Sequence, residues 1–242
     1  MLSVRNLKVA FGHAEVLHGV SLDVGAEPLA VAGRNGMGKT TFCYALMGMV
    51  PLRSGTVTLE SARLDGKSPT RIARSGIALV PQGRRVFPSL TVEEHLKLVG
   101  RSRTAAWTIE RVYDTFPRLA ERRTNGGSQL SGGEQQMLAI SRALLLNPKL
   151  IIMDEPSEGL APVLVDQLIE VLKKLANDSI GLLLVEQNLR VATSVASTVA
   201  IMLNGRIAAT LPADRLRADH DLQRRYLGVS TGSHEIPAEA IS

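Results

Sequence analysis

The chain has 242 residues, 45% of them hydrophobic and 21% charged, with a formal net charge of +5. Such a chain forms one or two globular domains with a core that needs no covalent staple, and a disordered polypeptide is excluded. A single cysteine, Cys43, excludes an internal disulfide and fits a reducing compartment; with no CxxC pair and no HExxH stretch, the common zinc patterns are excluded too. Aromatic residues are only 3% and the basic residues lie scattered among acidic ones, so no nucleic-acid partner is expected. The first residues lack the apolar centre of a secretory signal. No apolar run approaches the roughly 18–20 residues that span a bilayer, so work at a membrane is expected to go through a partner.

In chain order, apolar residues at Leu2, Val4 and Leu7, at Val16, Leu17, Val20, Leu22 and Val24, and at Leu29 to Ala32 predict strands over 2–32. Pro28 has no N–H, so it should mark a strand's first residue or an edge position. A helix is predicted from about Lys39 to Met49, ended by Pro51, followed by strands at Ser54 to Leu59 and Ile77 to Val80. Thr91 and Glu94 have the spacing of a capping box that opens a helix reaching about Val99. Residues 104–146 carry helical spacing, interrupted by a loop around Thr124 to Gln129. Leu150 to Met153 reads as a buried strand, about Pro162 to Ala176 as a helix, and Gly181 to Val185 as another buried strand. Thr198 to Leu203 and Arg206 to Thr210 form a hairpin pattern around Asn204-Gly205. The fold class is α/β, with an antiparallel β layer, a mostly helical insertion at about 86–146, one domain over 1–230 and a flexible tail at 231–242.

Three motifs carry chemistry. Gly33-Arg34-Asn35-Gly36-Met37-Gly38-Lys39-Thr40 fits GxxxxGK[ST], follows an apolar strand and opens a helix. Its glycines let backbone N–H groups curl around phosphate oxygens, and the helix end adds partial positive charge. Lys39 can reach β- and γ-phosphates and the Thr40 hydroxyl can ligate Mg²⁺; Thr41 continues the same turn. Next, the apolar strand at 150–153 ends in Asp154-Glu155, at the strand end where open α/β sheets bind ligands. Asp154 would hold Mg²⁺ and Glu155 would activate the attacking water. Third, Leu130-Ser131-Gly132-Gly133-Glu134-Gln135-Gln136 opens an apolar helix and reads as a second end with bare N–H groups, another anion site.

These motifs, in this order, resemble the ATP-binding cassette (ABC) ATPases over nearly the whole chain, Leu2 to Gly228. The resemblance implies a P-loop NTPase core with an antiparallel β layer and an inserted helical subdomain. GRNGMGKTT at 33–41, VPQGRRVFPSLTVEEHL at 80–96, LSGGEQQMLAISRAL at 130–144, DEPSEGLAP at 154–162 and LLLVEQN at 182–188 look like the ATPase subunits of branched-chain, hydrophobic amino acid importers. A similar ATPase serves urea and short-chain amide importers; a cassette acting on ribosomes or DNA is the rival outside transport. The family implies a head-to-tail dimer, with this chain paired to itself or to a second ABC ATPase. ATP then lies between one subunit's phosphate loop and the other's signature residues Ser131, Gly132 and Gly133. It further implies two membrane permease subunits, an indirect extracytoplasmic solute-binding protein and a peripheral place on the cytoplasmic face of the inner membrane. Gln82 matches a glutamine that contacts Mg²⁺ and couples to the permeases; by itself it reads as a solvated loop residue. Phe11 matches an aromatic that stacks on adenine; by itself it reads as a core aromatic. Arg84 and Arg85, beside an exposed-looking Phe87, would pair with acidic groups of the permease or form a solvated basic turn.

Two positions depart from the family pattern. Gln187 stands where most members have a histidine that touches the γ-phosphate, which removes the side chain there that could be cationic. The branched-chain subgroup shares this departure, and Gln187 is expected to keep a hydrogen bond to the γ-phosphate. Ala161 stands where an Asp is common in the loop after Glu155.

Overall fold

The computed structural model describes residues 1–100, 105–178 and 180–227; the tail expected at 231–242 lies outside them, as does residue 104 at the start of the expected helical stretch. The strands are β1 (Leu2–Phe11), β2 (Ala14–Val24), β3 (Leu29–Ala32), β4 (Ser54–Leu59), β5 (Ala62–Arg63), β6 (Ile77–Val80), β7 (Leu150–Asp154), β8 (Gly181–Glu186), β9 (Thr198–Leu203) and β10 (Arg206–Pro212). The helices are α1 (Lys39–Leu46), α2 (Pro69–Arg74), α3 (Val92–Val99), α4 (Ile109–Thr115), α5 (Pro117–Glu121), α6 (Gly132–Leu144), α7 (Pro162–Ala176), α8 (Leu189–Val195), α9 (Ala213–Ala218) and α10 (His220–Leu227). A 3₁₀ turn at Gly127–Gln129 precedes α6.

A four-stranded sheet runs in the order β2-β1-β4-β5, its neighbours antiparallel. A six-stranded sheet runs β10-β9-β3-β8-β7-β6; its inner strands are parallel and only β10 is antiparallel. The parallel strands are apolar runs because both faces are covered. Val31, Ile152, Leu183 and Val185 point into a cluster shared with α1 and the small sheet. Their neighbours Ala30, Ile151, Met153 and Leu184 point the other way, against α6, α7 and α8. Val92, Leu96, Trp107 and Leu119 of the helical stretch belong to this second cluster, so that stretch and the central sheet share one apolar core.

Several sequence expectations needed correction. α1 stops at Leu46, not Met49, and Gly48 ends it rather than Pro51. Gly48 takes a φ of +66°, and the Gly48 and Met49 N–H groups donate back to Ala45 O and Tyr44 O, a closure that favours glycine. In β1 the inward alternation Leu2, Val4 slips to Leu7, Val9 at Asn6, whose φ of 49° makes a bulge. α2, α8, α9, α10 and the two-residue β5 were not foreseen; all are short. Pro28 immediately precedes the first residue of β3, as its missing N–H requires.

Candidate functional site

Because β6, β7, β8 and β3 are parallel, the segments that leave their carboxyl ends emerge on one edge of the sheet. The loop 33–38 follows β3, Gln82 follows β6, Asp154 and Glu155 end β7, and Glu186 ends β8. The register Asp154↔Val185 sets the two acidic strand ends side by side.

The loop from Gly33 to Gly38 is held from behind. Gly33 N donates to Glu186 O at 3.3 Å, Met37 O accepts from Gly205 N at 3.0 Å, and Asn204 N contacts Met37 Sδ at 3.3 Å. The β9–β10 turn therefore supports the phosphate loop as well as closing a hairpin. Gly205 is required there: its φ is +69°, and a Cβ would fall 1.9 Å from Val16 O. Gly38 caps α1 without any side-chain hydrogen bond, and the first turn carries no acidic residue. The helix dipole and the first N–H groups are thus left unneutralised by the chain itself.

Lys39 lies buried in this loop. Its Nζ donates to Gly33 O at 2.8 Å and Arg34 O at 2.9 Å, and pairs with Glu155 Oε1 at 2.9 Å. Gln82 Nε2 reaches Glu155 Oε2 at 3.4 Å and Glu158 Oε2 at 2.9 Å. A cleft of about 330 Å³ is bounded by Asn35, Gly36, Gly38, Lys39, Thr40 and Thr41 on one side and by Val16, Gln82 and Glu155 on the other. Glu155 holds a φ of 49°, a left-handed backbone that costs a non-glycine residue on the order of 1–3 kcal/mol, and its N–H is fixed to Val185 O at 2.8 Å.

Asp154 is fully buried, and neither carboxylate oxygen has a hydrogen-bond partner of ordinary geometry. Burial, with a contribution from the Glu155 charge, pushes its pKa up to about 6, against the opposing pull of Thr40, Lys39 and Cys43 beside it. Two orphaned acceptor atoms next to a threonine hydroxyl are what a hard divalent cation would satisfy. Among the described residues no group of three or more His, Cys, Asp or Glu could hold a metal. An ion held at Asp154 and Thr40 would therefore take further ligands from phosphate and water, as Mg²⁺ does.

The remaining predicted residues sit as follows. Phe11 is 52% exposed at the β1–β2 turn, which removes the core reading; Val16, not Phe11, lines the phosphate cleft. Gln187 is exposed directly beyond β8. Ser131, Gly132 and Gly133 begin α6, but that end is capped rather than bare. Ser131 Oγ accepts from Glu134 N at 3.3 Å, and the Glu134 carboxylate accepts from Ser131 N at 2.7 Å. Arg84 and Arg85 are engaged within the chain. Arg84 Nη2 donates to Glu158 O and Gly159 O, both at 3.3 Å, and Arg85 Nη2 donates to Tyr44 OH at 2.8 Å.

Sequence reasoning missed Glu158 and Glu186. Glu158 accepts from Gln82, and Glu186 accepts from Ser157 N at 3.0 Å and Asn188 N at 3.1 Å. Burial raises the pKa of Glu186. A signal existed for Glu186, an acidic residue closing an otherwise apolar strand; Glu158 sits in a solvated-looking loop and gave none.

The parallel sheet, the loop opening α1 and the acidic strand end define a P-loop nucleotide-binding domain. Residues 17–158 match the family model described as ABC transporter. The chain belongs to this ABC transporter family and is an ATP-binding, ATP-hydrolysing cassette. It is 39% identical, over 94% of its length and all of the relative, to the high-affinity branched-chain amino acid transport ATP-binding protein BraG of Pseudomonas aeruginosa. It is 32% identical, over 94% of its length and 97% of the relative, to the lipopolysaccharide export system ATP-binding protein LptB of Haemophilus influenzae. The crystal structure of an ATP-binding cassette of an ABC transporter in its ADP conformation superposes with a TM-score of 0.78 at 26% identity, covering 95% of this chain and 99% of that one. Among the described residues no helix is long and apolar enough to cross a membrane.

Proposed function

We propose that this chain is the ATPase subunit of an importer that takes up branched-chain, hydrophobic amino acids. The observation that carries the reading is the 39% identity to BraG along the whole length of that protein.

ATP is bound by the loop 33–38 and the amino end of α1, with Lys39, Thr40 and Thr41 facing the phosphates and Phe11 available to the adenine. On binding, phosphate oxygens replace Gly33 O, Arg34 O and the Glu155 carboxylate as the partners of Lys39. That exchange frees Glu155 to accept the proton of the water that attacks the γ-phosphorus, with ADP and phosphate as products. Asp154 and Thr40 would hold Mg²⁺, with Gln82 nearby, and the ion would neutralise charge on the phosphates during transfer. Gln82, already hydrogen-bonded to Glu155 and Glu158, orients the base. Gln187 offers a neutral hydrogen bond to the γ-phosphate. The segment Ser131–Gly133 serves the site of a second cassette, a copy of this chain or a relative.

One of two permease subunits docks on the groove between Tyr44 and Met47 of the core and Ala143 and Leu146 of the helical stretch, a cavity of about 320 Å³. Met49, Phe87 and Leu146 are each exposed by half or more around it, which suits an apolar partner helix. Solute choice then lies in the permeases and an extracytoplasmic binding protein, and the chain works as a peripheral subunit on the cytoplasmic face of the inner membrane. The 32% identity to LptB favours lipopolysaccharide export as the second reading. Affinity purification from detergent-solubilised native membranes tests the proposal. Recovery of two multi-span permeases and a second cassette, with loss of leucine uptake when the gene is deleted, is the expected result. Loss of urea or amide uptake instead, or recovery of export components or ribosomal proteins without permeases, overturns it.

A further inference from the structure

Arg84 joins three segments that are far apart in sequence. It stands two residues beyond Gln82, with a left-handed backbone at φ 61°, and Arg85 after it takes φ 46°. Two consecutive non-glycine residues in this region give the loop a strained shape, at a cost that the surrounding contacts offset. Its Nη2 donates to Glu158 O and to Gly159 O, both at 3.3 Å, in the loop that carries Glu155. The guanidinium also packs against the first turn of α6: a Cβ on Gly132 would fall 2.8 Å from Nη1 and 3.1 Å from Cζ and Nη2. One planar cation is thus wedged between the catalytic loop and the signature glycine of the same chain.

The wedge adds a van der Waals contact to a polar path. Lys39 pairs with Glu155, Glu155 and Glu158 are bridged by Gln82, and Arg84 carries the path from the Glu158 carbonyl to Gly132. The same loop is pinned on its other side, where Arg142 Nη1 donates to Arg85 O at 2.9 Å.

We propose that Arg84 is a positioning residue that holds the signature segment Ser131–Gly133 against its own chain's loop 155–159, and so controls hydrolysis in the opposite site of the dimer. The proposal rests on the reading that this segment completes the ATP site of a second copy. Arg84→Lys would keep a donor for the two carbonyls but lose the broad guanidinium that packs on Gly132.

The test uses mixed pairs of the full chain, co-expressed with two different tags and isolated through both. One copy, the reporter, keeps its phosphate loop and carries Ser131→Arg; the other, the donor, carries Lys39→Ala and keeps its signature segment. Hydrolysis then comes only from the reporter's phosphate loop against the donor's Ser131–Gly133. Arg84→Ala or Arg84→Lys in the donor should lower kcat roughly three- to thirty-fold with KM for ATP little changed. The same changes in the reporter should lower it less than twofold. Equal loss from either copy, loss only from the reporter, full rescue by Arg84→Lys, or no loss at all would each overturn the proposal. A control with Ser131→Arg in both copies should be inactive. If that control hydrolyses ATP as fast as the parent pair, or the parent pair is itself inactive, the dimer reading fails and takes the proposal with it.

Discussion

Two helix ends face the chemistry of this protein, and they are finished in opposite ways. α1 begins at Gly38 with no side-chain cap and no acidic residue in its first turn, and Lys39 adds a cation to the same place. α6 begins at Ser131 inside a complete capping box, with the Glu134 carboxylate folded back on the Ser131 N–H. An incoming phosphate meets positive potential at the first end. At the second it meets a cap already made and a carboxylate that repels it, softened by Arg122 Nε at 3.7 Å from Glu134 and by Arg84 against Gly132. α1 is thus built to bind an anion by itself. α6 is suited to close on one that another element already holds.

The largest test of this contrast is Glu155→Gln. It should leave ATP binding at α1 intact and slow hydrolysis about 10²–10⁴-fold, read by nucleotide binding and phosphate release on the same sample. Near-normal turnover would remove Glu155 from the role of base.

Leu138→Ala strikes the core behind the capped end. Leu138 is fully buried in the cluster that joins α6 to the central sheet, so chemical denaturation should show a loss of about 2–5 kcal/mol. Nucleotide affinity at α1 should fall far less, since that end packs in the other cluster.

Asp154→Asn addresses the orphaned carboxylate. Its pKa of about 6 lies above its ordinary value of 3.8, so the folded state binds a proton more tightly than the unfolded chain. The charged carboxylate therefore costs stability above pH 6, and the cost recedes as pH falls from about 6 towards 4. The variant should be more stable than the parent at pH 7, by on the order of 2 kcal/mol, with the gap closing towards pH 4 in a pH series of thermal unfolding. Mg²⁺-dependent ATP binding in the parent should weaken as pH falls through 6; a pH-independent Mg²⁺ requirement would count against Asp154 as the ligand.

The smallest effect is expected for Gln187→His. Gln187 is exposed beyond β8, and a hydrogen bond exchanged for a partly charged one should change the rate by about tenfold or less. Identical rate and ATP affinity would show that position 187 does not touch the phosphate.

Much of this was legible from residue order. GxxxxGK[ST] after four apolar residues specifies a strand, a phosphate-binding turn and a helix, and the paired Asp154-Glu155 marks a strand end, because these patterns are local. The capping box at Thr91 and Glu94 was legible for the same reason, and both of its hydrogen bonds are present. Local pattern also fell short: a serine and two glycines looked like a bare helix end, yet Glu134 three residues on folds back to cap part of it. The arginines at 84 and 85 looked free for an acidic partner because nothing nearby in sequence could claim them.

Residue order alone gave the class of fold, the phosphate loop, the acidic pair and the spans of the main strands, all set by contacts within a few residues or by the period of apolar positions. Only the tertiary structure decided how these parts answer to one another. The Asn204-Gly205 turn supports Met37 across more than 160 residues of chain; Lys39 meets Glu155, Gln82 meets Glu158, and Arg84 settles on Gly132. Those pairings depend on parallel strands bringing their carboxyl ends to one edge, a long-range arrangement that no local pattern encodes.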